Sequence, residues 1–177
     1  MMRQKRRAIT TEEYKRLSGK IAEVVLNDPE LGQSDFVMSY ISAFKEPDTL
    51  PIIETLFKMG KRVAVPVSDT AARTITVCEI FNTNDLKKGA YNILEPTHIN
   101  EIDFNKIDLV LVPGLAFDRH GFRMGFGMGY YDKLLSEGTA HKIGICYDFQ
   151  LFDDIPKDDH DIKMDKIITE REIIYAV

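Results

Sequence analysis

Residues 121–132 read GFRMGFGMGYYD, and this short run combines three kinds of chemistry. Gly121, Gly125, Gly127 and Gly129 carry no Cβ, so their backbone N–H groups can approach a ligand closely and their φ angles can turn positive. Arg123 adds a planar guanidinium whose paired N–H donors match phosphate oxygens. Tyr130, Tyr131 and Asp132 open a short helix read over YYDKLLSE, whose first turn carries a partial positive charge of roughly half a unit. An anion suits such a place. Asp132 would oppose that anion, so its carboxylate invites a Mg²⁺ bridging carboxylate and phosphate, and a nucleotide site is a coherent reading. The spacing is neither that of the Walker loop, which needs Gly-Lys-Ser/Thr, nor that of G-x-G-x-x-G. Composition alone supports equally a glycine-rich turn loop with no phosphate, in which Tyr130 and Tyr131 pack above Leu134 and Leu135 and Asp132 is a helix-start residue.

Such a loop acts only where a scaffold holds it. Just upstream, IDLVLVP (107–113) is a continuous apolar run that suits a strand covered on both faces. Earlier, Thr10 with Glu13 forms a capping-box pattern, and Tyr14, Leu17, Ile21, Val24 and Val25 recur at helical spacing until Asn27-Asp28-Pro29. FVMSYIS (36–42) reads as a buried strand. A helix capped by Asp48 or Thr49 follows, with Ile52, Ile53, Leu56 and Phe57 on its buried face and Gly60 at its close. RVAVPV (62–67) is the next strand, so this stretch has the size of a βαβ crossover and implies a parallel sheet. TITVCEIF (74–81) alternates like a partly exposed strand, LKKGAYNILEP reads as a turn leading to an extended segment, and KIGICYD (142–148) and KIITEREIIYAV (166–177) supply the last strands. The expected architecture is one α/β domain over residues 1–177, a three-layer arrangement with a mostly parallel central sheet flanked by helices and ligands at the carboxyl ends of its strands.

Bulk properties narrow the function. A net charge of −5 argues against a general nucleic-acid binder, whose affinity comes from neutralising phosphates. MMRQKRR lacks the apolar stretch of a secretory signal and no run approaches membrane-spanning length, so no membrane partner and a cytoplasmic location are expected. Cys78 and Cys146 sit in apolar runs and read as buried reduced thiols. His98, His120, His141 and His160 show no paired ligand spacing for zinc. The cluster Arg3, Lys5, Arg6 and Arg7 precedes a helix start, where positive charge opposes the helix dipole; from composition it reads as a mobile solvated tail.

The run DLVLVPGLAFDRHGFRMGFGMGYYD (108–132) resembles the signature of the 5-formyltetrahydrofolate cyclo-ligases, also called 5,10-methenyltetrahydrofolate synthetases. Weaker matches are EPDT (46–49), GKRVAVP (60–66), ILEP (93–96) and HDIKMDKIIT (160–169). The resemblance implies a MgATP-dependent ring closure of 5-formyltetrahydrofolate to 5,10-methenyltetrahydrofolate with release of ADP and phosphate. It implies ATP held by Arg3, Arg7, Arg123, Met124, Gly125, Phe126, Gly127, Met128, Gly129, Tyr130 and Tyr131. Phe126, Gly127, Met128, Gly129 and Tyr130 would also face the folate, with Glu46 hydrogen-bonding the pterin edge and Ile41 packing nearby. Arg123 and Tyr130 would be catalytic, and Asp132 and Asp161 would hold Mg²⁺. Arg3 and Arg7 satisfy the family's basic pair four residues apart. Met128 stands where relatives place lysine or glycine, which leaves phosphate neutralisation to Arg123, the N-terminal arginines and Mg²⁺. A monomer or weak homodimer is expected. Without the resemblance, Ile41 reads as core strand, Glu46 as a solvated loop residue, and the acidic run containing Asp161 as a solvated loop.

Two other readings start from the same loop. One is an isomerase- or transferase-like α/β domain that binds a sugar phosphate without consuming ATP. The other takes RMGFGMGYY as a stacking platform for single-stranded nucleic acid, against which net acidity counts.

Overall fold

A computed structural model describes residues 2–69, 74–89, 93–125, 127 and 129–176. The basic N-terminal segment is helical, α1 (Met2–Ala8), where a solvated tail was one expectation. In α2 (Thr11–Leu26) the expected box forms: Thr10 Oγ1 accepts from Glu13 N at 3.1 Å and the Glu13 carboxylate accepts from Thr10 N at 3.0 Å. Two backbone donors that have no partner within the helix are thereby satisfied. Asp28 caps α3 (Pro29–Gln33), and the chain turns into β1 (Phe36–Ser39). After α4 (Leu50–Lys58), Gly60 at φ 75° reverses the chain into β2 (Arg62–Asp69), which pairs parallel with β1 and completes the crossover. β3 (Thr74–Ile80) returns antiparallel along β2. The LKKGAYNILEP segment contributes a small ladder of β4 (Leu86–Lys88) and β5 (Leu94–Pro96).

β6 (Leu109–Val112), buried at all four residues, pairs parallel with β1. The chain does not pass from it straight into the glycine loop as the sequence suggested. It first makes a hairpin of β7 (Ala116–Asp118) and β8 (Arg123–Met124). The loop then enters α5 (Tyr130–Ser136), followed by β9 (His141–Ile145), β10 (Leu151–Phe152), β11 (Lys166–Ile168) and β12 (Ile173–Tyr175). β10 joins the hairpin in a three-stranded sheet.

The main sheet has seven strands in the order β12-β11-β9-β6-β1-β2-β3, parallel except at its two edges. Its strands are buried on both faces because alternate side chains enter two cores. Val37, Val63, Leu109 and Leu111 pack with Ile21, Val25, Ile52 and Leu56 of α2 and α4. Met38, Ala64, Val110 and Val112 face the other way, toward Phe104, Phe117, Leu134 and Leu135. Helices therefore cover both faces, in three layers as expected. Strand order reverses between β1 and β6: the chain runs outward from β1 through β2 and β3, and outward from β6 through β9 and β11. In open α/β sheets the crevice at the carboxyl end of such a reversal receives the ligand. Among the described residues, no helix is long and apolar enough to cross a membrane.

Candidate active site

Two segments leave the sheet on either side of the reversal. Beyond β1, the backbone takes left-handed φ angles of 49° at Phe44 and 56° at Lys45, unusual for residues with side chains, and this turn brings Glu46 back under the fold. Tyr40 donates its hydroxyl hydrogen to Pro47 O at 3.0 Å and Thr49 donates to Tyr40 O at 2.7 Å, which ties both ends of the turn together. Ile41 is half-buried against the core beside this turn.

Glu46 is 7 % exposed. Its Oε1 lies 3.3 Å from Arg6 Nη1 and its Oε2 accepts from Ala43 N at 3.1 Å. Burial pushes the Glu46 carboxyl above the usual carboxylate range, with the Arg6 guanidinium acting in the opposite direction. The negative charge of Glu46 also raises the hydroxyls of Tyr40 and Tyr131, after burial as the main cause. Tyr14 of α2 is pushed up to about 12 by burial and then by Asp48. The Tyr147 hydroxyl is 3.2 Å from Ser18 Oγ, and Ser18 Oγ accepts from Asp48 N at 3.1 Å, linking the end of β9 to α2 and to the β1 turn.

On the β6 side, the hairpin is a rigid base for the loop. Asp118 is fully buried, and its Oδ1 accepts from His120 N at 3.0 Å and from Phe122 N at 2.9 Å. Gln150 Nε2 donates to Gly114 O at 3.1 Å and to Leu115 O at 3.0 Å, fixing the exit of β6. Of the four glycines, Gly121 differs from the expectation of ligand approach. A Cβ there would lie 2.6 Å from Ala176 Cβ and 2.8 Å from Met164 O, so its smallness serves packing against the C-terminal segment. Gly125, Gly127 and Gly129 instead face open space, the last two with φ of 81° and 66°. These three form the cradle. Met124 beside them is exposed, while Phe126 and Met128 lie outside the described residues.

Arg123 is buried beneath this cradle rather than extended into it. Its Nη2 is 2.9 Å from Asp132 Oδ1, its Nη1 donates to Ile162 O at 3.3 Å, and its guanidinium carbon is 5.9 Å from the Tyr131 ring centre. Asp132 Oδ1 also accepts from Ile162 N at 3.2 Å, which brings the residue next to Asp161 against Asp132. Asp161 turns its own Oδ2 toward Asp158 N at 2.8 Å. Thus Asp132 contacts the backbone of Ile162, the residue that follows Asp161, while one oxygen of each expected metal carboxylate already has a protein partner. Among the described residues no group of three or more His, Cys, Asp or Glu side chains converges as a cage. Two carboxylates are the donor set that suits Mg²⁺, which keeps water and phosphate oxygens as its remaining ligands, so the residues present fit that ion.

Arg3 and Arg7 are both exposed, one turn apart on α1, and with Arg6 and Phe44 they line a cleft of about 260 Å³. Arg6 was singled out by no spacing rule, and nothing distinguishes it in the sequence from its basic neighbours; yet it alone of the three is buried, at 1 % exposure. Three polar groups here are buried without a hydrogen-bond partner among the described residues: Arg6 Nε, Tyr130 Oη and Tyr131 Oη. Buried donors of this kind are costly unless a ligand or water satisfies them.

The model of the 5-formyltetrahydrofolate cyclo-ligase family matches residues 1–170. The chain is 29% identical over 179 residues to the 5-formyltetrahydrofolate cyclo-ligase of Escherichia coli (strain K12), covering 98% of both chains. It is 34% identical over 197 residues to that of Saccharomyces cerevisiae, covering 95% of this chain and 92% of the relative. Its fold matches the NMR structure of 5,10-methenyltetrahydrofolate synthetase from Aquifex aeolicus with a TM-score of 0.87 and 32% identity, over 99% of this chain and 89% of that one. The matched span takes in both rims of the crevice, from the arginines of α1 to Asp161, and the chain belongs to the 5-formyltetrahydrofolate cyclo-ligase family.

Proposed function

We propose that this enzyme closes 5-formyltetrahydrofolate to 5,10-methenyltetrahydrofolate at the expense of ATP, releasing ADP and phosphate, at the crevice between the β1 turn and the glycine loop. The observation that carries this reading is the pair of buried hydroxyls of Tyr130 and Tyr131, partnerless among the described residues, beside three glycines that face open space, with the buried carboxylate of Glu46 near enough to act on the Tyr131 hydroxyl through its charge. One rim thus has donors and bare backbone for an anion, and the other has an acceptor for the N–H edge of a pterin.

A formamide oxygen is a poor leaving group, so ring closure needs activation. The γ-phosphoryl passes to the formyl oxygen, N10 attacks the formyl carbon, the N10 proton is lost, and the C–O bond breaks with inorganic phosphate carrying that oxygen away. Such transfer depends chiefly on alignment and on neutralising charge. Gly125, Gly127 and Gly129 offer backbone N–H groups to the phosphates, with Met124 and Tyr131 flanking the nucleotide. Arg3 and Arg7 extend positive charge from α1 over the same anion. Arg123 holds Asp132 at the base of the loop and places fixed positive charge behind the transferred group. Tyr130 lies where loop and helix meet and can donate its hydroxyl to the reacting oxygens. Gly127 and Gly129 face the folate from the loop, and Ile41 and Glu46 from the β1 turn. Asp132 and Asp161 would hold Mg²⁺, which would supply neutralisation of the phosphate charge.

The test is formation of the methenyl chromophore and of ADP with each reactant omitted in turn. Both products are expected only when 5-formyltetrahydrofolate, ATP and Mg²⁺ are all present. Chromophore without ATP, or ADP release indifferent to the folate, contradicts the proposal.

A further inference from the structure

The Arg6–Glu46 pair has a geometry that phosphate binding does not explain. Arg3 and Arg7 point out of α1 into the cleft, whereas Arg6 turns inward, is 1 % exposed, and spends one guanidinium nitrogen on Glu46 Oε1 at 3.3 Å. Its Nε is buried without a partner among the described residues. The contact is held from both sides. Lys45 reaches from the left-handed turn to Arg7 O at 3.1 Å and also to Ile9 O, fastening the end of α1 to the residue next to Glu46. The second oxygen of Glu46 is fixed by Ala43 N.

Four titratable or charged groups face Glu46: Arg6 from α1, Tyr14 from α2, Tyr40 from the end of β1 and Tyr131 from α5. Of these four, Arg6 alone carries a positive charge. A buried carboxylate deprived of its cation takes up a proton rather than remain charged. The protonated acid exchanges an acceptor for a donor and no longer matches an edge of two N–H groups.

We propose that Arg6 is a positioning residue for the folate: it keeps Glu46 ionised and aimed, so that the carboxylate accepts from the N–H edge of the pterin. The inference rests on the reading of Glu46 as folate-facing given above. Arg6 acts through Glu46 and touches neither the transferred phosphoryl group nor the formyl carbon.

The experiment is steady-state chromophore kinetics on wild type, Arg6→Lys, Arg6→Met and Glu46→Gln, with the KM for 5-formyltetrahydrofolate and for MgATP measured separately from mildly acid to mildly alkaline buffer. Arg6→Met raises the folate KM roughly 30-fold, the scale for leaving one member of a buried charge pair alone. The MgATP KM changes less than about threefold, a shift within the scale of a surface charge. The folate defect deepens as pH falls, because Glu46 is then increasingly neutral. Arg6→Lys, which restores the charge, recovers most of the folate affinity, and Glu46→Gln shows a raised folate KM without the added pH dependence. If Arg6→Met does not fold, Arg6→Gln carries the same comparison, since it keeps an N–H donor and removes the charge. A raised folate KM in Glu46→Gln with a normal one in the Arg6 variants overturns the proposal alone. A normal folate KM in Glu46→Gln overturns the folate reading of Glu46 and the proposal with it. A defect in MgATP KM with folate KM unchanged assigns Arg6 to phosphate and also overturns it.

Discussion

The two ends of the sheet each bury a cation against carboxylates, and they do so differently. At the amino end, Lys166 of β11 is 1 % exposed and meets Asp28 at 2.5 Å and Glu30 at 2.6 Å, and Asp28 Oδ1 also accepts from Glu30 N at 3.1 Å. That cluster is closed: ammonium and carboxylates satisfy one another and join α3 to the sheet. At the carboxyl end, Arg6 meets Glu46 through a single contact at 3.3 Å, and Arg6 Nε, Tyr130 Oη and Tyr131 Oη are partnerless among the described residues. Among the described residues the amino edge holds one such group, His141 Nε2 at the start of β9, against three at the carboxyl end, and this excess is what favours the carboxyl end for a ligand. Charge burial by itself does not, since structural ion clusters perturb titration as strongly as active sites do.

The comparison can be broken at either end. The largest effect is expected from Lys166→Met, which strands the Asp28 carboxylate in the interior. Unfolding free energy should fall by about 3–5 kcal/mol in a denaturant titration while both KM values stay near wild type. A large KM change would make the amino end part of the site. Next, Asp132→Asn should lower turnover by about 100-fold and raise the Mg²⁺ concentration needed for half-maximal rate, because it weakens both the metal site and the hold on Arg123. Wild-type magnesium dependence would remove Asp132 from the site.

Tyr131→Phe sharpens the contrast further. Deleting a hydroxyl that has no partner among the described residues should leave the melting temperature unchanged or slightly higher, while turnover drops by about tenfold, the scale of one lost hydrogen bond to a charged ligand. A stability loss with normal turnover would reassign that hydroxyl to the fold. The smallest effect concerns acid. Hydrogen bonding to Lys166 lowers the Glu30 carboxyl from its ordinary 4.5 to about 2. Its stabilising contribution is fully present above 4.5 and is lost as pH falls toward 2. Because the Glu30 side chain is 43 % exposed and screened by solvent, the expected loss is only about 0.5 kcal/mol, read as the acid-limb difference between wild type and Glu30→Gln.

Local features were legible in the sequence and long-range ones were not. The Thr10–Glu13 box, the β1–α4–β2 crossover and the doubly covered β6 follow from neighbours within a few residues; their bounds agree to about two residues except at β1, which ends at Ser39 where the expected strand ran to residue 42. The β7–β8 hairpin escaped notice because its strands have three and two residues, too few for a period to register. Gly121 looked like its neighbours because only the folded chain brings Met164 and Ala176 against it. In the candidate site, the cradle, Asp132 and Asp161 were nameable from motif resemblance. The inward turn of Arg6 was not, since its partner lies 40 positions away and the helix carries exposed arginines on either side. Arg123 was expected to reach for phosphate, and its seat beneath the loop depends on Asp132 and on a carbonyl 39 positions away.

The most direct test follows the formyl oxygen. With 5-formyltetrahydrofolate labelled with heavy oxygen in the formyl group, a single turnover in the presence of MgATP should place the label in inorganic phosphate, one atom for each methenyl group formed. Unlabelled phosphate alongside normal chromophore formation would contradict phosphoryl transfer to that oxygen, and with it the account of the open carboxyl edge as the place where ATP and folate meet.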